Sequence, residues 1–150
     1  MLLASPLGGT VRAVTDVPDP VFAELMVGPG VAVDPRPDVS AVALAPCAGV
    51  VAALHPHAFV VEGDDGRAVL VHLGTDTVTL RGVGFTLHVR AGDRVATGDP
   101  MITFSPADLV AAGLSTCCPV IAVQADPQAV RVLLAPGTVV VPGEPLLDWT

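Results

Sequence analysis

Short runs of β-branched and apolar residues, cut at close intervals by turn residues, make up most of this chain. Val60-Val61, Ala68 to Val71, Val78 to Leu80, Phe85 to Val89, Val120 to Val123, Val130 to Leu134 and Val139 to Val141 read as strands. Between them stand Gly63-Asp64-Asp65-Gly66, Gly82, Gly92-Asp93, Gly98-Asp99-Pro100, Pro136-Gly137 and Pro142-Gly143, residue types that fix φ or tolerate its positive range. Helical periodicity is scarce. One candidate is Val21 to Met26, entered through Asp19-Pro20. The other is Pro106 to Ala112, with Ser105 at the N-cap, Pro106 at the first helical position and Gly113 at the end. The pattern predicts an all-β sandwich or barrel with one or two short helical turns.

An internal repeat refines this expectation. Ala4-Ser5-Pro6-Leu7-Gly8-Gly9-Thr10-Val11 resembles Ala45-Pro46-Cys47-Ala48-Gly49-Val50-Val51, a Pro turn followed by a Gly and a strand. Arg94 to Ile102 is echoed by Thr138 to Leu147 around the turns Gly98-Asp99-Pro100 and Gly143-Glu144-Pro145. Two interleaved copies of a strand-turn unit, a duplicated hybrid motif, would close into one sandwich with no flat edge exposed. Biotinyl and lipoyl carrier domains show a similar pattern. They attach their prosthetic group to a Lys, and this chain has none: all seven of its basic residues are Arg. Composition excludes that function.

The chain has 150 residues, 51% of them hydrophobic, the length of one ordinary domain spanning 1–150 with ample surface to bury. A formal net charge of -8 offers no electrostatic footprint for nucleic acid or anionic lipid. The longest apolar stretch, Ala41 to Leu54, is 14 residues interrupted by Pro46 and Gly49, too short to span a bilayer. The start lacks a positive segment and meets Pro6 at once, unlike an export signal. Cys47, Cys117 and Cys118 read as free thiols, small buried hydrophobes in a reducing cytoplasm. No nucleophile-elbow context surrounds Ser5, Ser40, Ser105 or Ser115, and no phosphate-binding glycine motif follows a strand.

The four histidines carry the candidate chemistry. His72 ends the run Ala68 to Val71 and precedes Leu73-Gly74-Thr75-Asp76-Thr77. A Gly two positions on lets the chain fold back, so that a backbone carbonyl can take the Nδ1 proton and leave Nε2 as a free lone pair. Such a nitrogen can attack phosphorus, bind a metal, or serve only as a satisfied structural group. The spacing His55-Pro56-His57 would put both imidazoles on one side of an extended segment, as metal ligands often are, or it is a polar turn. His88, within Phe85 to Val89, reads as structural or solvent-facing.

Four stretches together resemble the glucose-type enzyme IIA domain of the phosphoenolpyruvate-dependent sugar phosphotransferase system. They are Ser5-Pro6-Leu7-Gly8-Gly9; Asp16 to Glu24 with Val27-Gly28-Pro29-Gly30; His57-Ala58-Phe59; and Leu70-Val71-His72-Leu73-Gly74-Thr75-Asp76-Thr77-Val78. The resemblance implies a β-sandwich in which His72 accepts a phosphoryl group on Nε2 from the phosphocarrier HPr and passes it to a cysteine of an enzyme IIB domain. It implies that His57 is the second active-site histidine, stabilising the phosphoryl oxygens, and that no cofactor is required. Val21, Phe22 and Phe59 would form an apolar docking surface with Asp19 and Asp76 at its rim, and Gly74 and His55 would support the site. His55 stands where the family often has Thr, and Thr75 where an apolar residue is usual. The domain would be free-standing and cytoplasmic, without membrane insertion. Regulated transporters or enzymes could read its phosphorylation state, and the transported sugar is set by the permease. The same histidines also suit a different chemistry. Lysostaphin-type zinc peptidases use His-x-His and His-x-x-x-Asp ligands, spacings met by His55, His57, His72 and Asp76. In the carrier reading no metal is required, though His57 and His72 could share a zinc ion with a partner's carboxylate.

Overall fold

The computed structural model describes residues 1–150. In chain order the elements are β1 (Leu2–Ala4), β2 (Gly9–Ala13), α1 (Pro20–Ala23), β3 (Gly30–Asp34), β4 (Ala41–Leu44), β5 (Gly49–His55), β6 (Ala58–Glu62) and β7 (Ala68–His72). There follow β8 (Phe85–Leu87), β9 (Arg94–Val95), β10 (Pro100–Phe104), α2 (Pro106–Ala111), β11 (Cys118–Ala122), β12 (Val130–Val132), β13 (Val139–Val140) and β14 (Pro145–Trp149). Three 3-10 turns intervene at Val14–Asp16, Thr77–Leu80 and Pro127–Ala129.

The strands form an eight-stranded sheet in the order β13-β2-β3-β11-β7-β6-β5-β9 and two three-stranded sheets, β4-β10-β8 and β1-β14-β12. Strand alternation sends one side of the large sheet into the main core. Val69, Val71, Phe59, Val61, Cys118 and Val120 all lie there with the apolar residues of the smaller sheets. The other face carries a smaller cluster: Phe22, Val14 and Val17 from the segment around α1 cover Ala32, Cys117 and Ile121, with Leu70 at the margin. His72 has the same parity as Leu70 on β7, so it stands on this second face, beside α1.

The repeat is real in three dimensions, and the copies interleave. Ser5 N–H donates to Glu144 O at 2.8 Å and Gly143 N–H to Ser5 O at 2.9 Å; in the other copy Ala45 N–H donates to Asp99 O and Gly98 N–H to Ala45 O, both at 2.9 Å. β2 pairs with β13 as β5 pairs with β9. The copies also bond each other reciprocally, Ala4 N–H to Pro46 O and Leu44 N–H to Pro6 O, both at 2.9 Å. Closure was expected to remove the flat edges, and here the structure differs: all three sheets are open. The large sheet ends in β9 and β13, each two residues long, so brevity rather than closure limits its edges.

Two elements also depart from the sequence pattern. Val78 to Leu80 is a 3-10 turn, not a strand. Thr77 Oγ1 donates back to Leu73 O at 2.8 Å and Thr79 Oγ1 to Asp76 O at 2.8 Å, local bonds that curl the backbone where apolar composition alone suggested extension. The first helix ends at Ala23 rather than Met26. Leu25 turns left-handed at φ 58°, with Met26 N–H on Val21 O and Leu25 N–H on Phe22 O, the paired bonds of a Schellman stop. In α2, Ser105 is at the N-cap but its hydroxyl makes no capping bond.

Candidate active site

His57 and His72 meet because β6 and β7 are antiparallel neighbours with Ala58 opposite His72. His55 and Ala58 pair at the end of the β5–β6 hairpin, so Pro56 and His57 form its tight turn. The expectation of an extended His-x-His segment is therefore corrected: the two-residue loop leaves no extended chain between the imidazoles. Leu73 N–H donates to His57 O at 2.8 Å, tying this turn to the end of β7. The His57 and His72 ring centroids are 5.1 Å apart at 67°, and His55, exposed, lies over His57 at 5.8 Å and 30°.

The fold-back after His72 is as the Gly74 spacing implied. His72 Nδ1 lies 2.6 Å from Gly74 O. A carbonyl can only accept, so Nδ1 carries the proton and the Nε2 lone pair is free. Gly74 adopts φ 73°; a Cβ there would lie 2.5 Å from Leu109 Cδ2 and 2.8 Å from Ser115 O, so no other residue fits. The loop is held from behind by a segment the sequence did not mark: Thr75 N–H reaches Ser115 O at 3.2 Å, and Gly74 N–H reaches Cys118 Sγ at 3.3 Å.

The surroundings of both rings favour the neutral form. Burial pushes the His72 pKa down, against the opposing pull of the Gly74 carbonyl and the Asp19 and Asp76 carboxylates. His57 is shifted the same way, by burial first and then by the neighbouring His72 and His55 rings. Phe22 packs its ring 5.4 Å from that of His72 at 58° and is itself buried. It is a wall of the site. Phe59 is a plain correction: it is 0% exposed, inside the main core, and presents no docking surface. The phase of β6 decides this, since Phe59 and Val61 point to the core side. Val21 is exposed, as expected of a docking residue, and Met26 and Val78 add exposed apolar surface. Asp19 is half-buried, with one carboxylate oxygen accepting Val21 N–H at 3.0 Å to cap α1. Asp76 is exposed, with its backbone left-handed at φ 59°. His88 lies just beyond β8 with Nε2 2.6 Å from Thr103 Oγ1, away from these groups. The three cysteines are free and buried.

No three His, Cys, Asp or Glu side chains converge where a metal ion could sit, so His55, His57, His72 and Asp76 do not form the ligand set of a zinc hydrolase. Two neutral imidazoles on an open face, one locked in a single tautomer, instead make the site of a histidine-based group-transfer domain. The family of the phosphoenolpyruvate-dependent sugar phosphotransferase system, EIIA 1, matches residues 1–128. The PTS system glucose-specific EIIA component of Halalkalibacterium halodurans is 39% identical over 131 residues, covering 86% of this chain and 74% of the relative. The PTS system N-acetylglucosamine-specific EIICBA component of Klebsiella pneumoniae is 38% identical over 148 residues, 97% of this chain but 22% of that longer one. Among solved structures, glucose permease IIA from Mycoplasma capricolum superposes with a TM-score of 0.86 over 98% of this chain and 94% of its own, at 28% identity. The chain belongs to this EIIA family, the phosphoryl carriers of the sugar phosphotransferase system, which work through a phosphohistidine. No helix is long and apolar enough to cross a membrane.

Proposed function

We propose that His72 Nε2 is the phosphoryl acceptor, that the donor is the phosphohistidine of HPr, and that the recipient is a cysteine of an enzyme IIB domain serving a glucose-type sugar. The observation that carries the reading is the His72 Nδ1 contact to Gly74 O at 2.6 Å, which dedicates Nε2 to chemistry. The Nε2 lone pair attacks phosphorus, and the donor's N–P bond breaks with its electron pair returning to the donor imidazole. Charge growing on the His72 ring is drawn toward the Gly74 carbonyl. Onward transfer repeats the step: a thiolate attacks, and the His72 N–P bond breaks with its electrons returning to the ring. His57, one ring away, donates to the phosphoryl oxygens as charge moves. Positioning and charge stabilisation suffice for such a transfer, and no cofactor enters.

The fusion of this domain with EIIB and EIIC components in relatives such as the Klebsiella pneumoniae chain supports the IIB recipient. Exposed Val21, Met26 and Val78 beside Asp76, on a chain of net charge -8, suit a partner with an apolar patch and a basic rim. Such a relay would operate in the cytoplasm, with residues 1–150 acting as one domain. Incubation with phosphoenolpyruvate, enzyme I and HPr should add about 80 Da, acid-labile and base-stable, to wild type and to His57→Gln, and nothing to His72→Gln. Onward transfer to IIB should fail for His57→Gln. Labelling of His72→Gln would show that another residue is the acceptor.

A further inference from the structure

The glycine that allows the His72 fold-back is also the residue least able to hold it. Without a Cβ, Gly74 can leave φ 73° freely unless its polar groups are tied. Both are. Its carbonyl accepts His72 Nδ1–H, and its N–H donates to Cys118 Sγ at 3.3 Å. Cys118 lies at the start of β11, 44 positions away in sequence, and is 0% exposed. Its thiol in turn donates to Thr116 O at 3.1 Å. One sulfur thus both accepts and donates, linking the loop to the Ser115–Cys118 segment behind it. Of the three thiols it alone makes side-chain hydrogen bonds; Cys47 is also buried in the core and makes none. The amide joining Gly74 to Thr75 is polarised from the same segment, because Thr75 N–H donates to Ser115 O at 3.2 Å while the Gly74 carbonyl receives the imidazole proton. Burial drives the Cys118 pKa strongly upward, so the sulfur stays protonated and keeps its donor.

We propose that Cys118 is a positioning residue for phosphoryl acceptance: by accepting Gly74 N–H, its thiol fixes the carbonyl that holds the His72 ring with Nε2 toward the incoming phosphoryl group. This rests on His72 being the acceptor. Cys118 does not touch the reacting atoms, nor does it lie on the docking face. Its loss therefore acts on the rate at saturating donor, not on the donor concentration needed. Cys118→Ala leaves Gly74 N–H buried without a partner and leaves the carbonyl held from one side only, through Thr75 N–H on Ser115 O. Cys118→Ser replaces the sulfur with an oxygen that can both accept and donate.

The test compares wild type, Cys118→Ala, Cys118→Ser and Cys47→Ala in acceptance from phospho-HPr, alongside nitrogen-15 NMR of the His72 ring. Cys118→Ala should lower kcat about tenfold with KM nearly unchanged, and Cys118→Ser should restore most of it. Cys47→Ala should lose stability without losing rate. The His72 ring should be the single Nδ1–H tautomer in wild type and Cys118→Ser, and mixed in Cys118→Ala. A Cys118→Ala protein with wild-type rate and tautomer overturns the proposal. If that variant does not fold, amide exchange in wild type decides: slow exchange at Gly74 supports the bond to sulfur, and exchange at the rate of an exposed loop refutes it. A wild type that takes no phosphoryl group would instead sink the acceptor assignment, and the tautomer comparison would still judge the role of Cys118.

Discussion

At His72, burial and hydrogen bonding pull the protonation equilibrium in opposite directions, and burial wins. The consequence for stability has a definite sign. The folded-state pKa lies below the ordinary 6.5, so beneath that value the unfolded chain binds a proton that the native ring refuses. The stability of the neutral ring is fully present above pH 6.5 and is lost as pH falls from there through the lowered folded value. His57 shifts in the same direction and adds to the effect. Urea unfolding between pH 7.5 and roughly 5 should show a midpoint that falls with acid in wild type and falls less in His72→Gln. Phosphoryl acceptance should fade over the same range, since protonation occupies the attacking lone pair. A wild-type midpoint that rises toward acid would contradict the balance. Much of this residue chemistry was legible in the sequence, because His72 and Gly74 are two apart and a glycine at that spacing admits the left-handed turn that folds the chain back. Cys118 was not legible as a partner: a cysteine in an apolar run looks like a small hydrophobe, and its bond to Gly74 spans 44 positions.

The short helix α1 does more for the site than its four residues suggest. It brings Phe22 against the His72 ring and roofs the small apolar cluster on that face of the sheet. Its start depends on Asp19, whose side chain caps Val21 N–H. The cap that Asp19 supplies and the charge it carries can be separated by substitution. Asp19→Ala should reduce stability by about 1 kcal/mol through loss of the cap and should slow acceptance by loosening Phe22. Asp19→Asn should keep the cap and the stability while weakening partner docking in a salt-dependent way, because only the charge is removed. Thermal unfolding and acceptance rates at two salt concentrations would tell them apart; equal loss of stability in both variants would refute the capping role. At this scale the sequence misled in two places for one reason. Val78 to Leu80 and Leu25-Met26 are apolar, but side-chain bonds to the backbone and a left-handed residue decide their conformation, and hydropathy is blind to both. Phe59 is the converse case. The resemblance placed it on an apolar docking surface, while the alternation along β6 had already sent it to the core.

For the whole molecule, the duplicated units were visible as similar Pro and Gly turns, and the pairing between them was not, because hydrogen bonds between distant strands leave no local signature. That pairing joins the two ends of the chain. β1 lies beside β14, Met1 N–H donates to Trp149 O at 2.8 Å, and Arg67 clasps the same carbonyl at 2.6 Å with its guanidinium 5.2 Å over the Trp149 ring. The consequence lies in synthesis rather than in the finished protein. Leu3, fully buried when folded, has no strand partner until Leu147 has been made. At ribosomal speeds the early strands must wait on the order of 10 s with their edges unsatisfied, and a sheet of such distant pairings is slow to form afterwards. Nascent chains that stop before Pro145 should be degraded by a protease that leaves the full chain intact, with resistance appearing in one step once Trp149 has cleared the exit tunnel. Gradual gain of resistance along the chain would mean that one strand-turn copy folds without the other. Folding here is timed by the last strand to arrive.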